Sequence, residues 1–242
     1  VRLRLPRRTP LIVESGRIEA TTDYDRLVDA DAILIALATP LSKQREPDLR
    51  IVKTVPYSDP NHYQRAAARL ADETPNAVWG NQFDNTANRD AHYATTGPEI
   101  WQQTSGKITH FVGSAGTGGT LTGVGRYLKE RNKKVRVIAG DPAGSILAEY
   151  WRTKGKNKIE GTPYKVEGIG QDKLPGTLDM SCIDEYYTVS DKESFAMARR
   201  LTREEGLFVG GSSGLITSVA LKIAREIDDP EALVVTILCD TG

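Results

Sequence analysis

The 242-residue sequence contains only two cysteines and three histidines and carries no net charge, 32 Lys and Arg balancing 32 Asp and Glu. Cys182 and Cys239 lie too far apart for a CxxC metal or redox site, and two cysteines cannot form the scaffold of a chain this long, so a reducing compartment is expected. Charge neutrality argues against nucleic acid or an anionic membrane as the main partner, because both select for a basic surface; a small neutral or zwitterionic ligand suits the chain better. The longest apolar runs, Ala32–Ala38 and Leu233–Cys239, are far shorter than the roughly 18 residues a membrane span requires. The start, VRLRLPRRTP, is basic but no apolar signal core follows it, which points to a cytoplasmic protein without a secretory signal. No repeat or low-complexity segment is present. The first residue is Val rather than Met, which reads as a processed chain or a fragment. With Gly counted and Tyr left out, about 44% of the residues are apolar, close to the roughly 45–50% of globular chains, and the length suits one large or two small domains.

From Val52 onward, helical stretches alternate with short apolar runs, the pattern of an α/β protein with a mostly parallel sheet flanked by helices. Helices are expected at Asn61–Glu73, up to Pro98–Gln103, and at Leu121–Glu130, Asp191–Glu205 and Leu215–Ile227. Strands are expected at Ala77–Trp79, Ile108–Val112, Val135–Ala139 and Leu207–Val209, with a buried one at Leu233–Leu238. The stretch from Asp141 to Glu167 reads as loop. Before Val52, Asp23–Asp29 reads as a short helix and Ala32–Ala38 as a central parallel strand. A chain that stops at CDTG, directly after an apolar strand, looks incomplete at that end.

The strongest motif is Gly116-Thr117-Gly118-Gly119-Thr120, placed between an expected strand and an expected helix. Glycines let the backbone approach an anion closely, successive N–H groups form a concave nest, and the helix N-terminus adds its positive dipole. The loop therefore reads as a phosphate seat, with a tight turn that binds nothing as the alternative. A side chain at Gly118 or Gly119 is expected to intrude on the anion. The loop is neither a Walker A sequence nor GxGxxG, which makes ATP and NAD poorer ligands for it. Gly210-Gly211-Ser212-Ser213-Gly214 repeats the strand-to-helix setting, and Ser212 either caps the helix or reaches a ligand ring. The string satisfies GxSxG, but no histidine follows His110, so a serine hydrolase is excluded. Asn81–Asn85 is a polar cluster just past an expected strand, where α/β sheets carry their ligands, although a simple turn accounts for it equally well. His62, His92 and His110 are isolated and read as solvent-facing or capping residues; no metal site is expected.

Six strings, VPYSDPNHY, NQFDNTANRDAHYATTGPEIW, GSAGTGGTLTGVGRYLKE, DPAGSILAE, VEGIGQDKLP and EEGLFVGGSSG, resemble the pyridoxal-phosphate enzymes of the cysteine synthase and cystathionine β-synthase group, collinearly from about Val52 to Gly242. DPAGSILAE and GGSSG favour the cystathionine β-synthase side. The resemblance implies a type II pyridoxal-phosphate fold, here incomplete at both ends, with pyridoxal 5'-phosphate as cofactor. It implies that Gly116, Thr117, Gly118, Gly119 and Thr120 bind the cofactor phosphate, that Ser212 hydrogen-bonds the pyridine nitrogen, and that Gln82 helps to hold the substrate carboxylate. The implied reaction is a lyase-type β-replacement on serine with homocysteine, giving cystathionine, in amino-acid metabolism (transsulfuration and cysteine biosynthesis), and the implied assembly is a homodimer.

The family's Schiff-base lysine, in an SxKDR segment, and its SGNTG loop precede VPYSDP, and neither string occurs in this sequence. No catalytic residue is therefore assigned, and a non-catalytic pyridoxal-phosphate or phosphate-binding fragment is the alternative function. Gly16–Leu49 instead resembles the nucleotide-binding domain of nucleotide-sugar 6-dehydrogenases, without its glycine fingerprint; an NAD-dependent dehydrogenase is a further alternative. The domains expected are thus 1–51, a helix–strand segment, and 52–242, the pyridoxal-phosphate domain, joined as two enzyme fragments.

Overall fold

The computed structural model describes residues 57–73, 76 and 79–241, all within the compact unit Val52–Gly242. The readings of residues 1–51, including the helix at Asp23–Asp29 and the strand at Ala32–Ala38, lie outside the described residues.

Among the described residues, three helices precede the first strand: α1 (Tyr63–Glu73), α2 (Ala87–Ala94) and α3 (Thr96–Gln103). Strands and helices then alternate as β1 (His110–Ser114), α4 (Gly119–Arg131), β2 (Arg136–Pro142), α5 (Leu147–Thr153), β3 (Glu185–Val189), α6 (Asp191–Glu204), α7 (Gly211–Glu226) and β4 (Val234–Thr236). The four strands among the described residues are all parallel, in the order β3-β2-β1-β4. The chain builds outward from β1 to β3 and returns to the other side of β1 with β4. That reversal separates the loops after β1 and β4 and opens a crevice at their carboxyl ends, the place where open α/β sheets bind ligands.

Both faces of the central strands are covered, which explains why they read as continuous apolar runs. Phe111, Val137 and Ala139 pack on one face with Leu121, Val124 and Leu128 of α4. Their neighbours Val112 and Ile138 point the other way, against Leu215, Ile216 and Val219 of α7. The alternation within a single strand thus assigns each helix to its own layer.

Helices α6 and α7 approach so closely that a Cβ at Gly214 would sit 2.1 Å from the Ser194 carbonyl oxygen and 2.8 Å from the Ala198 amide nitrogen. An exposed helical Gly→Ala gains about 1 kcal/mol, whereas overpacking against backbone costs roughly 1–3 kcal/mol or more. Because backbone atoms cannot swing aside, the second effect wins. Gly214→Ala is expected to lower stability by about 1–2 kcal/mol in chemical denaturation; a more stable variant would contradict the packing.

Asp141, at the end of β2, is 1% exposed. Its Oδ2 accepts the Ala148 amide at 2.9 Å, tying down the first turn of α5, while its Oδ1 has no partner among the described residues. Burial pushes its carboxyl up to about 6. The folded state therefore holds a proton more tightly than the unfolded chain, so this group's contribution to stability falls as pH rises from about 4 to 6. Asp141→Asn keeps an acceptor for Ala148 and removes the charge. It should raise stability at pH 7 by up to about 3 kcal/mol and show no advantage at pH 4; equal gains at both pH values would contradict the assignment.

Several elements differ from the sequence-based expectations. Trp79 lies in loop, and residues 77 and 78 of the expected strand are outside the described residues. Leu207–Val209 is also loop. The stretch expected to be loop after Asp141 contains α5, and β3 was not anticipated. Strand β4 is three residues long and half-buried rather than buried, because it lies at the edge of the described sheet. No helix among the described residues is long and apolar enough to cross a membrane.

Candidate functional site

The crevice at the carboxyl ends of β1 and β4 is a cavity of about 1430 Å³. Gly116, Thr117, Gly118 and Thr120 line one side, Gly210, Gly211 and Ser212 another, and Gln82 also borders it. Six of the seven residues singled out by sequence therefore surround one space; the seventh, Gly119, is the first residue of α4. Among the described residues, no cluster of His, Cys, Asp and Glu could hold a metal ion.

Gly118 adopts φ 86°, the left-handed conformation that glycine tolerates, and this turns the chain from β1 into α4. The Thr117 hydroxyl accepts the Asn88 side-chain amide at 3.0 Å and the Gly119 N–H at 3.3 Å, bracing the turn from within. The first intrahelical bond is Thr122 N–H to the Gly118 carbonyl at 2.9 Å. The amides of Gly118, Thr120 and Leu121 meet no acceptor among the described residues. Unsatisfied amides at a helix N-terminus, next to a polar cavity, supply what an anion needs.

The glycines matter for a reason other than the one expected from sequence. A Cβ at Gly118 would lie 2.5 Å from Leu178 Cβ, at Gly119 2.0 Å from Asn88 Oδ1, and at Gly116 2.2 Å from the Gly168 carbonyl oxygen. At Gly118 and Gly119 the crowding comes from Leu178 and Asn88, and at Gly116 from the backbone of Gly168, which borders the same cavity. Glycine lets the loop pack closely against these neighbours.

Ser212 differs from its expected capping role. Helix α7 begins at Gly211, one turn earlier than the pattern suggested, with Gly210 as its N-cap residue and Ser212 inside the first turn. The cap comes from Asp240, just past β4: its Oδ2 accepts the Ser212 amide at 3.1 Å and its Oδ1 the Ser213 amide at 3.0 Å and the Ser213 hydroxyl. Partial burial raises this carboxyl, but the hydrogen bonds from Ser213 and Ser212 outweigh it and hold the group below the ordinary carboxylate range. The Ser212 hydroxyl lies 3.1 Å from Cys239 Sγ. Asp240 escaped sequence reading because it lies 27 residues from its partners and no local pattern marks it.

Of the polar cluster Asn81–Asn85, Gln82 and Phe83 reach the crevice. Asp84 accepts the Gly176 amide at 3.0 Å and Phe83 accepts the Thr177 amide at 3.0 Å, so the cluster is also a turn stapled to the loop beyond Leu174. The Gln82 carbonyl accepts Asn88 Nδ2 at 2.8 Å and its residue is exposed. Of the histidines, His62 is buried and His92 and His110 are half-buried. His62 is 5% exposed, His110 pairs with the Thr109 hydroxyl, and His92 bridges Thr96 at 2.9 Å and Thr120 at 3.1 Å. Burial lowers the His92 imidazole, which keeps it neutral at pH 7 beside the glycine loop.

The chain is similar over most of its length to known pyridoxal-phosphate enzymes. The curated cysteine synthase 1 of Neurospora crassa is 43% identical over 192 residues, covering 78% of this chain and 51% of that protein. The cystathionine beta-synthase of Mus musculus is 44% identical over 181 residues, covering 75% of this chain and 32% of that protein. The crystal structure of an O-acetylserine dependent cystathionine beta-synthase from Helicobacter pylori superposes with a TM-score of 0.66 at 38% identity, over 74% of this chain and 55% of that one. The chain thus spans between about a third and about half of these relatives. The family model reaches back to residue 41, into the segment that resembles nucleotide-sugar 6-dehydrogenases, and nothing in these comparisons supports that second resemblance. A family model described as pyridoxal-phosphate dependent enzyme matches residues 41–240, and with the parallel sheet, the switch-point crevice and the glycine loop in place, this chain belongs to that pyridoxal 5'-phosphate-dependent family.

Proposed function

We propose that this chain carries the cofactor-phosphate part of a cystathionine β-synthase-like enzyme, one that replaces the β-substituent of serine with homocysteine. The observation that carries the reading is the set of free amides at Gly118, Thr120 and Leu121 facing the same cavity as Ser212. The loop fits a phosphate: the amides of Gly118, Thr120 and Leu121 are without acceptors among the described residues, these residues border the cavity, and the glycines pack closely on Leu178, Asn88 and Gly168. In this reading Gly116–Thr120 hold the cofactor phosphate and Ser212 hydrogen-bonds the pyridine nitrogen. When bound, pyridoxal phosphate supplies the electron sink that makes loss of the substrate α-proton feasible. A neutral serine hydroxyl at the ring nitrogen suits β-elimination, because it does not force full protonation of the ring. Gln82, exposed at the crevice rim, donates its side-chain amide to the substrate carboxylate. The identities to cysteine synthase and cystathionine beta-synthase are nearly equal, so the choice of homocysteine rests on DPAGSILAE and GGSSG.

The absence of the SxKDR and SGNTG strings supports a second reading, in which the 242-residue chain binds the cofactor without turning over substrate. A homodimeric assembly and a cytoplasmic location belong to the same proposal. Fluorescence titration with pyridoxal 5'-phosphate tests it: saturable binding of one equivalent is expected for both readings, and no binding would refute both. Gln82→Ala is expected to leave that titration unchanged and to weaken serine binding about tenfold; equal serine affinity would remove Gln82 from the site.

A further inference from the structure

Two helix N-termini, those of α4 and α7, open onto one cavity, and both follow glycine-rich loops. They are not equivalent. At α4 the amides of Gly118, Thr120 and Leu121 are free among the described residues, whereas at α7 the amides of Ser212 and Ser213 are taken by the two carboxylate oxygens of Asp240, at 3.1 and 3.0 Å. Room for that carboxylate is built in. A Cβ at Gly210 would lie 2.4 Å from Asp240 Oδ2, so any residue but glycine would crowd the approach. The Ser213 hydroxyl adds a further bond to the same carboxylate.

Resting on the reading of Gly116–Thr120 as the phosphate seat, we propose that Asp240 is a positioning residue: a resident anion that fills the α7 N-terminus, leaves the α4 N-terminus as the single seat for a ligand's phosphate, and thereby sets which way round the ligand lies. Without it, one crevice would present two anion seats of similar build, and a ligand with one phosphate could enter in either direction. With it, a phosphate brought to Ser212 meets a negative charge and occupied amides, so the phosphate goes to Thr120 and the uncharged end of the ligand faces the Ser212 hydroxyl. The same carboxylate fixes the first turn of α7, and so the position from which Ser212 acts.

The test is a titration of the full chain with inorganic phosphate, following bound equivalents by equilibrium dialysis and the backbone amide resonances by NMR. Wild type is expected to bind one equivalent and to shift Gly118, Thr120 and Leu121. Asp240→Ala is expected to bind a second equivalent within about tenfold of the first affinity, shifting Ser212 and Ser213 as well. Asp240→Asn, which preserves the shape, is expected to admit the second equivalent more weakly and serves if the alanine variant does not fold. A folded Asp240→Ala or Asp240→Asn chain that binds no more phosphate than wild type, with Ser212 and Ser213 unshifted, overturns the proposal. The two claims separate: no phosphate in wild type but one equivalent at Ser212 and Ser213 in Asp240→Ala would refute the Gly116–Thr120 seat and uphold Asp240.

Discussion

Thr120→Asp is expected to cost the chain roughly 10³-fold in affinity for pyridoxal 5'-phosphate. Thr120 stands in the first turn of α4, at the edge of the free amides, and its hydroxyl lies 3.1 Å from His92 Nε2. An aspartate there keeps an acceptor for His92 and suits the positive end of the helix, so the fold should not suffer. It places a negative charge beside the phosphate seat, where two like charges about 4 Å apart repel by about 4 kcal/mol at an effective dielectric of 20. Thr120→Asn has nearly the same shape without the charge and should lose about tenfold or less. A fluorescence titration of both variants checks this; equal affinity for the Asp and Asn variants would mean that no phosphate sits on the loop.

The second large effect concerns turnover. With serine, homocysteine and added pyridoxal phosphate, the 242-residue chain is expected to form no cystathionine at an enzymatic rate. The cofactor's chemistry needs an amine held against its aldehyde and the α-proton, and the sequence has no SxKDR segment to supply one. Lys43, the single lysine before Val52, sits in an unrelated SKQR context. Positioning to within about half an ångström separates a working site from a loose one, and such positioning supplies roughly 7–11 kcal/mol of barrier lowering. Its loss amounts to roughly five to eight orders of magnitude in rate. The added cofactor should keep the absorption of the free aldehyde. Steady cystathionine formation that disappears in Lys43→Ala would contradict this expectation.

The signals legible in the sequence are those contained in a few neighbouring residues. The apolar pairs Phe111–Val112 and Val137–Ile138 announced central strands because both faces of the sheet are covered, and the glycine loop announced a helix N-terminus because its chemistry is contained in five residues. Strand β3 escaped notice because its burial is interrupted, with only Tyr186 and Val189 fully inside, and so leaves no apolar run. The first turn of α7 looked like a loop since GGSSG has poor helix propensity; its helical state comes from the Asp240 cap and from the close packing on Ser194 and Ala198, both distant in sequence. The contact that requires glycine at position 118 is likewise not legible in the motif. The residue this glycine must clear, Leu178, lies 60 positions away and leaves no mark on the motif.

In the proposed function, the amides at the start of α4 are the seat of the cofactor phosphate. Backbone amide shifts recorded while pyridoxal 5'-phosphate is added to the full chain test it most directly. The largest shifts are expected at Gly118, Thr120 and Leu121, saturating at one equivalent and reproduced at those three residues by inorganic phosphate; saturable binding with those amides unmoved, or shifts centred elsewhere, would show that the phosphate sits elsewhere.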